Sequence, residues 1–330
     1  MSYSVGIGLT NDCNLTCAHC YRDTGRIDHL SLEQVQRICQ SIPVASMGMG
    51  TGENALHPQF IPIVEYLRQQ GIRLSIASNG YSLTTLPEEI LLAFQDVEVS
   101  IDFPTQEEQD AWRGRGNWAL VHQAIERCQH LGIEVSILAT LMRTNYVLMD
   151  RMLALARRVQ VNLRVNAYQT VKTDFFRLEY DQFWEGYRRL FAEGLVISCS
   201  EPVVRAVMGL KDVQSPCGRR SIRFNPRGQV IPCVYWPTSR GTMYSLEDLY
   251  DLGSKVIEDG SFETARRIPP SAATCPCQGG CASRRALNNR LDAHDDYCPW
   301  VRGEEIHLDW RPAPARDLMR AGNVCTTIVT

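Results

Sequence analysis

Three closely spaced cysteines near the start of the chain are the residues best suited to chemistry. Cys13, Cys17 and Cys20 form a C-x3-C-x2-C pattern directly after an apolar, strand-forming segment. Three thiolates on one loop can hold three irons of a four-iron, four-sulfur cluster, which leaves the fourth iron free for another ligand. The alternative is a zinc loop completed by His19 or His57, although zinc loops usually carry paired C-x2-C units. The spacing therefore favours a working iron–sulfur cluster.

A second group of six cysteines lies far along the chain. Its members are Cys217, Cys233, Cys275, Cys277, Cys281 and Cys298. The first two flank a predicted hairpin that turns at Asn-Pro-Arg-Gly, so their thiols are expected to lie close across the paired strands. Clustered cysteines in an intracellular enzyme more often bind metal than form disulfides. This group predicts a second metal-binding region, with a zinc ribbon as the alternative to iron–sulfur clusters.

Composition and charge limit the possible classes of function. The 330 residues are 44% hydrophobic and carry a formal net charge of −3, so no global basic field would attract nucleic acid or an acidic membrane. The first residues lack the pattern of a signal peptide, and no apolar run is long enough to span a bilayer. Thirteen cysteines in clusters fit a reducing compartment. We therefore predict a cytoplasmic protein that binds neither nucleic acid nor membranes.

Strands and helices alternate over the first 195 residues and must position the first cysteine loop. Six strand–helix repeats predict an α/β fold with a parallel sheet and right-handed crossovers. Six repeats fall short of the eight in a closed barrel, so we expect a partial (βα)6 TIM-like barrel with its active site at the strand C-termini. Beyond this point a hairpin and a cysteine-rich loop predict a small second domain. The predicted domains are 1–195 and 196–330.

The first 195 residues resemble the radical S-adenosylmethionine (SAM) superfamily. The cysteine triplet followed by Tyr21 is similar to its signature loop, and GTGENALHPQF (50–60) is similar to its glycine-rich loop after the second strand. SNG (78–80) and VSIDF (99–103) also match in order and type. The resemblance implies that the open iron binds the amino and carboxylate groups of SAM. Reductive cleavage of SAM then gives a 5′-deoxyadenosyl radical that takes a hydrogen atom from the substrate.

The same resemblance implies which residues contact SAM. They are Tyr21, Gly50, Thr51, Gly52, Glu53, Ser78, Asn79, Ser100 and Asp102, to which we add Asn166 at the end of the sixth predicted strand. Thr51 and Asn54 stand where the family pattern has glycine and proline. We expect the backbone contacts to survive both differences. No catalytic acid or base is assigned.

The second cysteine group resembles the SPASM extension, or its shorter twitch form, which carries auxiliary iron–sulfur clusters. The resemblance implies an inner cluster held by Cys217, Cys233 and Cys281. It assigns Cys277 and Cys298 to an outer cluster. The resemblance therefore implies one or two auxiliary clusters.

Both auxiliary sites lack ligands that the SPASM pattern leads us to expect. Before C-x-G-G-C the pattern has further thiolates, whereas this chain offers only Cys275. The inner cluster lacks a fourth ligand, for which Cys199 is a candidate, with a buried structural thiol as the alternative. Cys39 and Cys128 are expected in the core. Cys325 is compatible with either a surface thiol or a residue of the substrate channel.

The combined resemblance implies an enzyme that modifies a ribosomally made precursor peptide, and suggests the splicease branch, which excises tyramine. The expected partners are the precursor peptide, a reductant such as flavodoxin or ferredoxin, and a separate small leader-recognition protein. The separate protein is expected because the first strand begins at about residue 3, without a preceding leader-binding domain. Two alternatives are a radical SAM enzyme acting on a tetrapyrrole or other small metabolite, and a non-catalytic zinc or electron-transfer protein.

Overall fold

A single twelve-stranded sheet organises the part of the chain that the structure describes. The computed structural model describes residues 2–210, 217–237, 243–314 and 325–330. The strands are β1 (Tyr3–Ile7), β2 (Val44–Met49), β3 (Arg73–Ser78), β4 (Phe94–Ser100), β5 (Glu134–Leu141), β6 (Asn162–Ala167), β7 (Leu195–Cys199), β8 (Ser221–Phe224), β9 (Gln229–Ile231), β10 (Tyr244–Ser245), β11 (Arg311–Pro312) and β12 (Thr326–Val329). Their spatial order is β10-β9-β8-β1-β2-β3-β4-β5-β6-β12-β7-β11.

The six strands from β1 to β6 are neighbours in chain order, and every adjacent pair is parallel. Helices follow the strands, as the alternating pattern predicts. They are α1 (Leu32–Ser41), α2 (Phe60–Gln69), α3 (Tyr81–Thr85), α4 (Glu88–Leu91), α5 (Gln106–Arg113), α6 (Asn117–His130), α7 (Met149–Arg158), α8 (Tyr180–Glu193), α9 (Pro202–Val207), α10 (Leu246–Leu252), α11 (Gly260–Arg266) and α12 (Ala282–Leu287). The predicted partial (βα)6 barrel is therefore confirmed.

Local sequence explains where α1 begins and which face it buries. Ser31 accepts a hydrogen bond from the Gln34 amide, and the Gln34 side chain accepts one from the Ser31 amide, which completes the predicted capping box. Val35 and Ile38 are fully buried on the face that packs on the sheet. The helix therefore carries the chain back to β2 and leaves the loop after β1 at the opposite edge of the sheet.

The second half of the chain extends the sheet of the first half. Strand β8 pairs in parallel with β1, and β9 continues antiparallel from β8 as the predicted hairpin. Strand β12, near the C-terminus, lies antiparallel between β6 and β7. The sheet therefore runs across residue 195, where we placed the domain boundary. Among the described residues, no helix has the length and apolarity needed to cross a membrane.

Candidate functional site

The first cysteine loop leaves β1 and is shaped by its own polar side chains. Asp12 accepts a hydrogen bond from the Cys13 amide (2.8 Å), and the Cys20 amide donates to the Cys17 carbonyl (3.0 Å). The buried Arg22 guanidinium donates to the carbonyls of Asn11 and Leu15. Hydrogen bonds therefore hold the loop both before and after the cysteines. All three thiols are half-buried. Arg22 was not singled out from the sequence, because this residue lies just beyond the cysteine motif.

The glycine-rich loop after β2 packs directly against the cysteine loop. The Glu53 amide donates to the Asp12 carbonyl (2.7 Å), and the Thr51 and Tyr21 hydroxyls are 3.0 Å apart. Gly52 has a φ of +71°, and a Cβ there would lie 2.4 Å from the Asp12 carbonyl oxygen. Glycine is required at this position because the backbone conformation and the close approach both exclude a side chain.

The Glu53 carboxylate binds the loop after β3. It accepts hydrogen bonds from the Ser78 hydroxyl (2.6 Å), the Asn79 amide (2.9 Å) and the Ser82 amide (2.9 Å). Glu53 is 1% exposed. Both of its oxygens are thus occupied, which makes Glu53 a residue that positions the SNG loop. The Asn79 side chain in turn donates to Asn14 (2.8 Å) and lies 3.6 Å from Cys13 Sγ.

A buried charged group lies beneath the cysteine loop. Asp102 is inaccessible to solvent and forms an ion pair with Arg113 at 2.7 Å, while His19 Nε2 is 3.6 Å away. Burial alone would raise the pKa of Asp102, but Arg113, His19 and the Thr140 amide together hold it below its ordinary value. Arg113 Nη1 also lies 4.0 Å from Cys17 Sγ. The Asp102 carboxylate therefore acts on the cysteine loop through Arg113.

The structure brings most of the predicted SAM contacts to one cavity. Nine of the ten line it together with the three cysteines: Tyr21, Gly50, Thr51, Gly52, Glu53, Ser78, Asn79, Ser100 and Asn166. The exception is Asp102, which lies behind the wall formed by His19 and Arg113. Buried polar atoms of Asn166 and Gln169 on the same wall have no hydrogen-bond partner among the described residues. Such atoms fit a polar ligand, because burying them unpaired costs free energy.

Four cysteines of the second half form one set beside a buried cation. The Cys325 thiol hydrogen-bonds Cys281, and Arg223 lies among Cys217, Cys233 and Cys325. Arg223 is 4% exposed, and its Nη1 has no hydrogen-bond partner among the described residues. A buried guanidinium needs negative charge nearby, which thiolates supply.

Cys325 joins this set of thiols, whereas Cys199, the candidate fourth ligand of the inner cluster, does not. Cys325 directly precedes β12, which brings it to this set, whereas Cys199 lies within β7 with its Sγ 3.3 Å from Thr327 Oγ1. Burial raises the pKa of the Cys199 thiol to about 12. Cys199 is therefore a buried structural thiol. No local sequence signal could identify Cys325, because its contacts are made by distant segments.

The remaining three cysteines of the second half form a tighter group. The Sγ atoms of Cys275 and Cys277 are 3.2 Å apart, and each is 3.5 Å from Sγ of Cys298. The C-x-G-G-C turn wraps around Asp295, whose carboxylate accepts a hydrogen bond from the Cys281 amide (2.7 Å). A Cβ at Gly280 would lie 2.4 Å from the Asp295 Cβ. This close contact explains the glycine there.

Comparison with protein families matches residues 7–156 to the radical SAM superfamily model. The mycofactocin maturase MftC of Mycobacterium tuberculosis is 26% identical, covering 96% of this chain and 88% of the relative. The subtilosin biosynthesis protein AlbA of Bacillus subtilis is 24% identical, covering 90% of this chain and 71% of the relative. The solved structure of Streptococcus suis SuiB bound to the precursor peptide SuiA superposes with a TM-score of 0.70 at 13% identity, covering 90% and 76% of the two chains.

Proposed function

Because residues 7–156 are a radical SAM domain, we propose that this enzyme modifies a ribosomally made precursor peptide by radical hydrogen abstraction. The observation that carries the proposal is similarity over nearly the whole chain to two biosynthetic proteins, a mycofactocin maturase and a protein that makes the bacteriocin subtilosin. The match to SuiB, whose structure contains a precursor peptide, agrees in fold. Tyramine excision is the specific modification that we propose within this class.

The residues around the first cavity have distinct tasks in this proposal. Cys13, Cys17 and Cys20 would hold three irons of a four-iron cluster, and the cluster with bound SAM would supply the 5′-deoxyadenosyl radical. The backbone of the 50–53 loop, which lines this cavity, would hold the amino group of SAM, as the family resemblance implies. Asn166, on the opposite wall, offers an unpaired buried carbonyl oxygen to the same ligand. Glu53 and Asp102 hold these loops in place from behind.

A second cavity adjoins the first and offers a path for the peptide. The two share Tyr21, Arg22, Thr51 and Tyr235 as common walls. Apolar residues of the β8–β9 hairpin region, including Trp236, line the second cavity. Aromatic and aliphatic walls beside a few charged groups suit a peptide side chain that must be held near a radical source. We propose that the precursor occupies this second cavity.

An auxiliary iron–sulfur cluster is proposed at Cys217, Cys233, Cys281 and Cys325. The support is the four-thiol set beside Arg223. The positive charge of Arg223 would offset the negative charge of a thiolate-bound cluster. The Tyr235 amide donates a hydrogen bond to Cys233, and the Tyr235 ring packs edge-on against Tyr21 at 5.1 Å. Tyr21 directly follows Cys20, so the aromatic pair lies between the two proposed clusters. We propose that electrons pass between the clusters across this pair.

The proposed function implies partners that must be supplied for turnover. They are the precursor peptide, a separate small leader-recognition protein and a flavodoxin- or ferredoxin-type reductant. We place the reaction in the cytoplasm, because the clustered thiols require reducing conditions. A pull-down tests the recognition protein: we expect tight capture of the precursor only when that protein is added. Micromolar capture by this chain alone would contradict the expectation.

One assay tests the function as a whole. The enzyme is purified anaerobically, reduced and supplied with SAM, precursor and partner protein, and 5′-deoxyadenosine and the peptide mass are measured. We expect peptide-dependent deoxyadenosine and a mass loss equal to one tyramine unit. A variant with Cys13, Cys17 and Cys20 changed to Ala is the control and should produce neither. Turnover of a tetrapyrrole or small metabolite in place of the peptide would overturn the proposed substrate class.

A further inference from the structure

The tight cysteine group at Cys275, Cys277 and Cys298 differs in geometry from the other two cysteine sets. Its three Sγ atoms all lie within 4.8 Å of one another. Among the described residues, no three thiols of the first loop or of the set beside Arg223 are this close together. Since all three sets belong to the same chain, the contrast indicates a different kind of metal centre.

The spacing fits a single ion. Three thiolates bound at about 2.3 Å in a tetrahedron around zinc place their sulfur atoms about 3.8 Å apart. The observed separations of 3.2, 3.5 and 3.5 Å are within a few tenths of an ångström of that arrangement. In a four-iron cluster each thiolate bonds a different iron, so its sulfur atoms are spread around the whole cluster. Three sulfur atoms in mutual contact do not fit that geometry.

The number of available thiols leads to the same conclusion. All thirteen cysteines lie in the part of the chain that the structure describes. Three belong to the first loop, four form the set beside Arg223, and Cys39, Cys128 and Cys199 stand apart from these sets. Only three remain for the outer site, whereas a four-iron cluster in such a site takes four. Three thiolates with one further oxygen or nitrogen ligand are an ordinary zinc set.

Local backbone structure keeps the three thiols together. The Gln278 amide donates to the Cys275 carbonyl (2.9 Å), which closes the turn that brings the first two thiols side by side. Cys298 follows Tyr297, whose ring stacks on Phe183 of α8 at 4.0 Å. An ion bound here therefore links the cysteine-rich loop to the segment that packs on the barrel.

We propose that Cys275, Cys277 and Cys298 hold one thiophilic divalent ion, with zinc as the expected metal, and no inorganic sulfide. The site serves as a structural staple for the second half of the protein. Soft thiolate ligands favour zinc over the harder magnesium, calcium or manganese ions. The proposal replaces the expected outer cluster and does not depend on the identity of the peptide substrate.

The test compares metal and acid-labile sulfide in protein purified anaerobically without added iron or sulfide. We expect the triple variant Cys275→Ser, Cys277→Ser, Cys298→Ser to lose about one zinc or one iron per chain and no sulfide. The matched control, Cys39→Ser, should lose neither. Loss of about four irons with about four sulfides would show a cluster and overturn the proposal. Wild-type protein with no ion at these thiols would overturn it too.

A spectroscopic measurement covers the case in which the triple variant does not fold. X-ray absorption at the zinc edge of the intact protein should show three sulfur neighbours at about 2.3 Å. A zinc shell made only of oxygen and nitrogen would contradict the proposal. Both measurements are independent of turnover, so loss of peptide-dependent activity would bear on the proposed function alone.

Discussion

At the scale of single residues, the buried charges beside the first cavity act through their partners. Asp102 is inaccessible to solvent and acts on the cysteine loop through His19, 3.6 Å away, and through Arg113, which lies 4.0 Å from Cys17 Sγ. The resemblance had assigned Asp102 to cofactor contact. Sequence alone could not make this distinction, because a motif shows which residues recur but not which way each side chain points.

The Asp102–Arg113 pair should set the reduction potential of the first cluster. Removing the cation in Arg113→Gln should lower the midpoint potential, because a nearby positive charge stabilises the reduced, more negative cluster. Removing the anion in Asp102→Asn should raise it. Each shift should be on the order of tens of millivolts, as expected for one charge several ångströms away. Redox titration followed by electron paramagnetic resonance measures both, with Arg115→Gln, on the exposed side of the same turn, as the control.

A second buried charge group lies inside the barrel and should make stability depend on pH. Arg164 pairs with Asp96 (2.8 Å) and Glu98 (2.9 Å), so two carboxylates share one cation. Burial raises the pKa of Asp96 to about 7, although Arg164 opposes the shift. At pH values between the ordinary pKa of an aspartate and the raised pKa of Asp96, the folded state binds more protons than the unfolded state. Stability contributed by this group is therefore present at acidic pH and lost as the pH rises toward 7.

Asp96→Asn should flatten that dependence. Asparagine keeps an acceptor for Arg164 and removes the titrating proton, so the fall in stability between pH 5 and 7 should shrink by roughly 2 kcal/mol. Anaerobic melting temperatures of the intact protein across this range provide the measurement. Asp251→Asn, at an exposed position of α10, is the control. An equal pH slope in wild type and Asp96→Asn would contradict the assignment.

At the scale of elements, close contact between two loops creates the cavity. The loop after β2 and the loop after β1 meet at Gly52, where a Cβ would lie 2.4 Å from the carbonyl oxygen of Asp12 and 2.6 Å from that of Thr10. Secondary structure explains which edge of the sheet these loops share. Their contact also needs a residue without a side chain.

Gly52→Ala and Gly71→Ala should therefore differ, although both glycines have φ near +70°. A Cβ at Gly71 meets nothing within 4 Å, so that substitution should cost only the backbone strain, about 1 kcal/mol. Gly52→Ala carries the same strain and also displaces the cysteine loop. We expect lower iron and sulfide content only in Gly52→Ala, measured on anaerobically purified protein. Equal cluster content in both variants would show that the loops can separate without loss of the site.

At the scale of the whole molecule, a short C-terminal strand completes a site in the second half. Strand β12 lies between β6 and β7 and brings Cys325 to Cys281, beside Arg223 at the barrel edge. The set thus draws on three distant parts of the chain. The two predicted domains, 1–195 and 196–330, share one sheet.

Cys325→Ala should change the auxiliary cluster that we propose at these four thiols. Loss of one of four thiolates should either remove about four irons and four sulfides or leave an altered cluster spectrum. Cys199→Ala should keep the full iron content, because that thiol bonds Thr327 within the sheet. Iron analysis and electron paramagnetic resonance of both variants show whether the cluster is lost, altered or unchanged. Unchanged iron and spectrum in Cys325→Ala would remove it from the ligand set.

Features that depend on local order along the chain could be predicted from the sequence. Periodic apolar residues predicted six strand–helix repeats, and parallel strands must bring the loops after their C-termini to one edge. The cysteine triplet, the 50–53 loop, the SNG loop and Asn166 therefore meet at one cavity, as spacing and resemblance predicted. The capping box at Ser31 could likewise be predicted, because its two residues are only three positions apart.

Features that depend on side-chain direction and on contacts between distant segments became visible in the folded protein alone. The fold placed Asp102 behind His19 and Arg113, joined β8 to β1, and brought Cys325 to Cys281. It also drew Cys275, Cys277 and Cys298 into one compact group. Strand pairing between distant segments and the direction of a buried side chain arise from packing of the whole chain, and a local pattern does not contain that information.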